Sequence, residues 1–341
     1  MIEIDSAHGG QMLRSAVGLS ALTKIPCKIH NIRMQKKNPG LKTQHIHAIL
    51  ATQKLCNAKT ISVNLGSKYI EFFPSEIDAG DISVNIETAG ALSLILQALM
   101  IPISKITIPI NVELNGGATY GKWAPSIHYI IYVLAPHLQK LGYNFHISVE
   151  KHGFFPKGGA RVRAQFSPLS STIPIRLEHF GEIKNIKGIS IASLSLRSKR
   201  VADRQAEMAR RIIKERVGID PQINIEYVDS LCAGSGITLW VETTSTVFGA
   251  DVVGEKLLSS EKIGADVSEK IINIIESKST VDEYLADQLL VYMAMAEGES
   301  VIVSPTLTKH ILTNIDVIKR FISTEFTINQ NKNVKIVCRG M

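Results

Sequence analysis

Apolar positions along this chain switch repeatedly between a period of two and a period of three to four, and the switches recur in a fixed order. The first stretch opens with the alternating strand Ile2-Glu3-Ile4, turns at Gly9-Gly10 and predicts a helix over residues 11–22. A second helix follows Pro39-Gly40, carried by Ile46, Ile49 and Leu50. Strands over 60–65 and 69–73, joined at Gly66-Ser67, close the unit. The order then returns: a strand over 82–86, the turn Glu87-Thr88-Ala89-Gly90, a helix ending at Met100 before Pro102, and a strand over 106–114. A helix over 125–141 and strands over 145–150 and 161–166 complete this second copy. A third, partial copy carries helices over 282–296 and 310–322, a strand over 300–304 between them, and two closing strands. Three such two-helix, four-strand units predict an α+β fold with helices on one face of each sheet.

Between the second and third copies the rhythm changes. Residues 184–277 predict a strand over 188–194 and a helix striped with Ala202, Ala206, Ala209 and Ile213. A strand over 222–228, long strands around 237–253 and a helix over 262–275 follow. A segment of that size with its own β/α order forms a small inserted α/β domain. The large repeat domain is then 1–183 with 278–341, and it is expected to hold the catalytic site.

Composition narrows the class. A 45% hydrophobic, 20% charged chain of 341 residues is an ordinary globular protein with a large core. No apolar run approaches the roughly 20 residues of a membrane span, and Met1-Ile2-Glu3-Ile4-Asp5 has no signal-peptide character. Cys27, Cys56, Cys232 and Cys338 lack CxxC spacing and fit reduced thiols, so a cytoplasmic location is expected. The net charge of +7 favours a polyanionic partner. Helix residues Arg200, Arg204, Arg210, Arg211, Lys214 and Arg216 are either a solvated basic face or an RNA contact.

Several short motifs could carry chemistry. Gly116-Gly117-Ala118-Thr119-Tyr120-Gly121-Lys122 matches a phosphate-cradling P-loop, but Trp123 stands where Ser or Thr must hold the metal. His45 and His47 diverge by about 200° on a helix, which argues against joint metal binding. Pro156-Lys157-Gly158-Gly159 reads as a hairpin turn. Asp287 alone is a surface or capping acid. His310, just before or inside the first turn of the last helix, is by itself a capping or surface residue. A neutral imidazole there is also a competent nucleophile toward phosphorus, with backbone N–H groups at hand for phosphate oxygens.

Taken with Tyr284-Leu285-Ala286-Asp287-Gln288-Leu289 upstream, His310 gives the chain a resemblance to the RNA 3′-terminal phosphate cyclase family. Further segments match in order: Gly9-Gly10-Gln11-Met12-Leu13-Arg14, then Arg33 through Pro39-Gly40-Leu41 to Gln44-His45, Thr88-Ala89-Gly90 with Leu94-Ile95-Leu96-Gln97, and a Gly-Gly followed by Ala124-Pro125. The family also has an inserted domain where the rhythm changes. The resemblance implies ATP-dependent conversion of an RNA 3′-phosphate into a 2′,3′-cyclic phosphodiester, with AMP and pyrophosphate released. His310 would be the adenylated residue. Tyr284, Leu285, Ala286, Asp287, Gln288, Gln97 and Pro125 would line the ATP pocket, with Tyr284 and Pro125 against the adenine. Asp287 would orient His310 or bind the ribose. Arg14, Arg33, Lys36 and Gln44 would bind the RNA end and phosphates, helped by a divalent metal, Mg or Mn. RNA 3′-phosphate ends are the implied partner, with a homo-oligomer left open and no membrane.

Two departures stand out. The family's Gly-Glu-Gly before the GGQ segment, whose Glu is a metal ligand, is replaced by the shorter Ser6-Ala7-His8, so the metal ligands are unassigned. Lys36 stands where the family has a second Arg, which removes a bidentate fork. Two alternatives remain: a catalytically silent cyclase relative that acts as a binding protein in ribosome biogenesis, and an enolpyruvyl-transferase-like enzyme built on the same repeated unit.

Overall fold

The computed structural model, which describes residues 1–77, 80–169 and 171–341, is a mixed α+β fold in which one strand order is used twice in full. The first unit runs β1 (Ile2–Asp5), α1 (Gly10–Thr23), β2 (Cys27–His30), α2 (Thr43–Leu55), β3 (Lys59–Ile61) and β4 (Ile70–Phe73). Its sheet order is β1-β2-β4-β3, with β1 and β2 parallel and the other neighbours antiparallel. The second unit runs β5 (Ile82–Ala91), α3 (Leu92–Ile103) and β6 (Ile110–Ala118). A helix follows, built from α4 (Ile127–Tyr129), a π turn (Ile130–Leu134) and α5 (Ala135–Lys140), then β7 (Asn144–Lys151) and β8 (Arg161–Ser167). Its order, β5-β6-β8-β7, and its strand directions repeat the first.

The insert comprises β9 (Ile183–Ser193), α6 (Val201–Val217), β10 (Gln222–Val228), β11 (Ser235–Thr243), β12 (Val247–Val253) and α7 (Ser260–Ser277), with the sheet ordered β10-β9-β11-β12. It has an apolar core of its own, including Phe180, Ala206, Ile213, Ile237, Phe248 and Ile271. The chain then completes the last unit with α8 (Glu283–Met295), β13 (Glu299–Ser304), α9 (Lys309–Phe321), β14 (Glu325–Gln330) and β15 (Val334–Arg339).

The last sheet has three strands, β13-β15-β14, and a short bridge from upstream takes the place of a first strand. Arg176 bridges in parallel to Val301, the Leu177 N–H donates to Val301 O at 2.8 Å, and the Val301 N–H donates to Ile175 O at 2.7 Å. By this pairing the insert sits inside the third unit, after that bridge, rather than between units two and three. Thr280 closes the gap on the far side, with Oγ1 donating to Leu177 O at 2.8 Å.

Other differences have local causes. β2 was not expected, since four residues, Cys27-Lys28-Ile29-His30, carry too little alternation to stand out. The strand expected over 60–65 ends at Ile61, because Ser62 takes a left-handed φ of 62°. α3 continues one residue past Pro102, which the pattern placed beyond the helix end, and stops at Ile103. β6 starts at Ile110 rather than 106, because turns through Ser104, Lys105 and Ile106 end α3 first. The helix over 127–140 widens to a π turn in which the Ala135 N–H bonds Ile130 O; Pro136, which has no N–H to donate, follows directly. α1 packs against α2, α3 and α9, so helices of the first, second and third units meet around one cleft.

Candidate active site

α8 and α9 frame one side of that cleft, and both are capped by their own sequence. Thr308 Oγ1 accepts the Ile311 N–H at 3.1 Å, which starts α9 at Lys309 and puts His310 in its first turn. Asp282 caps α8, accepting from the Tyr284 N–H at 3.0 Å and the Leu285 N–H at 2.9 Å. The same carboxylate accepts from Tyr129 Oη at 2.6 Å and from the Gly249 N–H at 3.1 Å. One buried acid thus ties the helix bearing Tyr284 and Asp287 to the second unit and to the insert. Burial pushes its pKa up to about 6.

The cleft, of about 1050 Å³, brings together Arg14, Arg33, Lys36, Gln44, Gln97, Pro125, Tyr284, Asp287, Gln288 and His310. Leu285 and Ala286 do not join them: both are fully buried and absent from its lining. The helical repeat explains this correction, since Tyr284, Asp287, Gln288 and Val291 share one face of α8 and the two intervening residues point into the core. Gln97 Nε2 donates to Gln288 Oε1 at 2.8 Å, and Gln288 Nε2 to Tyr284 O at 3.0 Å, which locks the two amides across α3 and α8.

Electrostatics in the cleft are one-sided. Arg14, on α1, has no carboxylate within ion-pair distance among the described residues; burial lowers its pKa to about 10, so it stays charged at neutral pH. Asp287 lies close enough to feel that charge, yet burial outweighs both it and a hydrogen bond from Gln11 and pushes the carboxyl up to about 7. His310 is solvent-accessible, but the cleft walls desolvate its ring, and Arg14 and Lys36 oppose a second positive charge. Its pKa is therefore lowered and the imidazole is neutral near pH 7. Arg33 Nη1 is held by backbone carbonyls, Asn38 O at 2.9 Å and Gly40 O at 3.2 Å.

His45 joins the site although the sequence argument set it aside. It is buried in the cleft wall, and its Nδ1 accepts the Lys42 N–H at 3.0 Å, so the proton of the neutral ring sits on Nε2. That nitrogen lies against Gly10, where a β-carbon would come within 2.2 Å, so any larger residue there would push the His45 ring aside. Burial, then Arg14, Arg33 and Lys42, push the pKa of His45 down to about 3. The local signal was the Lys42-Thr43-Gln44-His45 spacing at a helix start. Asn314, one turn after His310, donates from Nδ2 to Asp287 O at 2.8 Å, and its buried Oδ1 has no partner among the described residues.

The P-loop spacing forms no phosphate cradle. β6 runs on to Ala118, no helix starts until Ile127, and Lys122 Nζ pairs with Glu255 at 3.0 Å. Pro156-Lys157-Gly158-Gly159 is a turn closed by the Gly158 N–H on Phe154 O at 2.7 Å. Among the described residues no three His, Cys, Asp or Glu side chains gather as a metal site, and Asp287 is the one buried carboxylate lining the cleft. The chain's own donors therefore do not fit a resident metal ion; a divalent ion here would depend on oxygen ligands brought by a bound phosphate.

Sequence comparison matches this arrangement to known proteins. A family model described as RNA 3′-terminal phosphate cyclase matches residues 6–328. A protein named RNA 3′-terminal phosphate cyclase from Methanopyrus kandleri is 37% identical over 337 residues, covering 96% of this chain and 95% of that protein. Proteins of the same name from Methanosarcina barkeri and Pyrococcus furiosus are 37% and 36% identical, covering 98% of both chains and 96% and 95% respectively. A solved enolpyruvyl transferase, NikO from Streptomyces tendae, aligns at 10% identity with a TM-score of 0.22, over 100% of this chain and 82% of that one, and carries no argument at that level.

Proposed function

The chain belongs to the RNA 3′-terminal phosphate cyclase family, and on that premise we propose that it uses ATP to close an RNA 3′-phosphate into a 2′,3′-cyclic phosphodiester through a covalent histidine–AMP intermediate. The observation that carries this reading is the neutral His310 imidazole at a helix start, in one cleft with the unpaired cations Arg14 and Lys36.

In the first step a ring nitrogen of His310 attacks the α-phosphorus of ATP. A P–N bond forms, the bond to pyrophosphate breaks, and the ring gives up its N–H proton. Arg14, the Nε2–H of His45 and the amides at the start of α9 face the phosphate oxygens, where negative charge gathers during transfer. Tyr284 and Pro125 hold the adenine between them, the locked Gln97–Gln288 pair fixes its edge, and Asp287 takes the ribose. In the second step an oxygen of the RNA 3′-phosphate, held by Arg33, Lys36 and Gln44, attacks the AMP phosphorus. The P–N bond breaks and a mixed anhydride forms. In the third, the neighbouring 2′-OH attacks the 3′-phosphorus, loses its proton and expels AMP; positioning supplies most of that rate. A divalent ion bound with the triphosphate would add charge neutralisation to what these side chains supply.

Incubation with α-labelled ATP tests the reading. Label should become covalently bound, stable to alkali and lost in acid, as a phosphoramidate is. His310→Ala should abolish it while circular dichroism stays unchanged. Normal labelling of His310→Ala would end the assignment. A silent relative or an enolpyruvyl transferase would take no label in the wild-type chain. With four unpaired thiols and an intracellular substrate class, the protein is assigned to the cytoplasm. No helix among the described residues is long and apolar enough to cross a membrane.

A further inference from the structure

Two aromatic rings on the cleft take no part in the chemistry above. Trp123 is 95% exposed and Phe155 is 60% exposed, and both line the cleft. Among the described residues neither ring packs on another aromatic ring, and the Trp123 indole N–H has no partner. The other tryptophan shows what a structural indole looks like in this fold: Trp240 is buried, stacked on Tyr132 at 4.4 Å with planes 3° apart, its N–H on Glu242 at 3.2 Å.

Both exposed rings sit on anchored backbone. Gly121 packs so tightly that a β-carbon would come within 2.5 Å of that of Ala91, Lys122 is tied to Glu255 of the insert, and Trp123 itself holds a left-handed φ of 58°. A bulky residue held in that conformation with its ring in water marks a loop shaped for something other than packing. Phe155 follows Phe154, which is buried against Tyr120, so one phenyl pins the turn and the next is left outside. The turn abuts the phosphate-binding rim: at Gly158 a β-carbon would meet Gly117 O and Thr88 O, and Gly90 lies against Gln44. Arg33, Lys36, Lys37 and Lys42 line the same cleft with no carboxylate partner among the described residues.

We propose that Trp123 and Phe155 form a stacking platform for the last nucleobases of a single-stranded RNA whose 3′-phosphate lies among those cations. Aromatic faces beside a basic track are the chemistry that binds single strands, and every base offers a face, so the platform grips the end without reading its sequence. It rests on the RNA-end reading proposed above and adds where the bases lie.

Fluorescence anisotropy of a labelled, 3′-phosphorylated oligoribonucleotide reads binding without turnover. Trp123→Ala should weaken binding about tenfold, the size expected of one base–aromatic contact, and Trp123→Phe should restore most of the loss. Phe155→Ala should act in the same direction. Replacing the last two nucleotides by abasic residues should weaken the wild type by a similar factor and leave Trp123→Ala little changed. In turnover, Trp123→Ala should raise KM for the RNA end far more than it lowers kcat. Equal binding by wild type and Trp123→Ala, or an equal loss on intact and abasic strands, overturns the platform. The two readings fail separately. Loss of binding in Trp123→Ala beside a wild type that takes no label from ATP would keep the platform and sink nucleotidyl transfer. Normal labelling with no loss in the variant would do the reverse.

Discussion

Two basic regions of this molecule carry similar charge and hold it differently. At and along α6, Arg200 just before it pairs with Glu207 at 2.6 Å, Arg204 with Glu261 at 2.6 Å, Lys214 with Asp220 at 2.8 Å, and Arg216 with Glu269 at 2.7 Å and Glu276 at 3.0 Å. Arg210 donates to Ile223 O, and Arg211 to Met208 Sδ at 3.1 Å. In the cleft, Arg14, Arg33, Lys36, Lys37 and Lys42 have no carboxylate in ion-pair reach among the described residues. A polyanion arriving at α6 must displace carboxylates already in place; one arriving at the cleft finds cations with no carboxylate to give up, Arg33 being held by backbone carbonyls alone. The favoured reading of the α6 arginines is therefore a self-neutralised face, and net charge says less about partners than which charges are unspent.

Substitutions sharpen the contrast. The largest effect is expected at Arg14: Arg14→Ala should slow self-adenylation on the order of a hundredfold, the usual scale for losing one preorganised charge on a transferring phosphoryl group. Arg216→Ala should leave the rate unchanged. Comparable losses in the two variants, measured with α-labelled ATP, would erase the distinction between the regions.

Salt dependence comes next. Affinity for a 3′-phosphorylated strand should fall as salt rises, and each phosphate-bound cation removed should flatten the log–log slope by about 0.7. Lys36→Ala should show that change and Arg200→Ala none. A flatter slope in Arg200→Ala would bring α6 back as an RNA contact.

The smallest expected effect concerns pH. Attack needs the unprotonated imidazole, and Lys36 is one of the groups that hold the pKa of His310 below its ordinary value. The acid limb of wild-type self-adenylation should therefore lie below pH 6.5. Removing the cation raises that pKa, so protonation begins at a higher pH and the limb in Lys36→Ala should move upward. A limb that stays in place would show that burial alone tunes the ring.

The repeat was legible because its long helices have strong periodicity and clear caps; Asp282 and Thr308 start α8 and α9 within a residue of where the pattern places them. β2 was not, being four residues long, and neither was the bridge at Arg176, whose partner lies more than a hundred residues away. For the site, contiguous motif reading carried Leu285 and Ala286 along with their neighbours, while helical geometry separates them. His45, set aside as a metal ligand, and Asp282, read only as a helix start, had roles that depend on contacts across the fold: the Gly10 backbone for one, Tyr129 and Gly249 for the other. Trp123 counted only against a P-loop, and its exposure could not be read from residue order.

The split third unit also fixes an order of events during synthesis. The segment around Arg176 emerges from the ribosome with its own edge open, and its partner, Val301, follows 125 residues later. Until then those backbone groups have only water to bond, and the intervening insert, with an apolar core of its own, can collapse first. Leu177 and Thr280, already within one hydrogen bond of each other in the finished protein, would then be brought together by the folded insert, which shortens the loop the last sheet must close. The inserted domain would thus double as a splint for the late assembly of the sheet on which α8 packs.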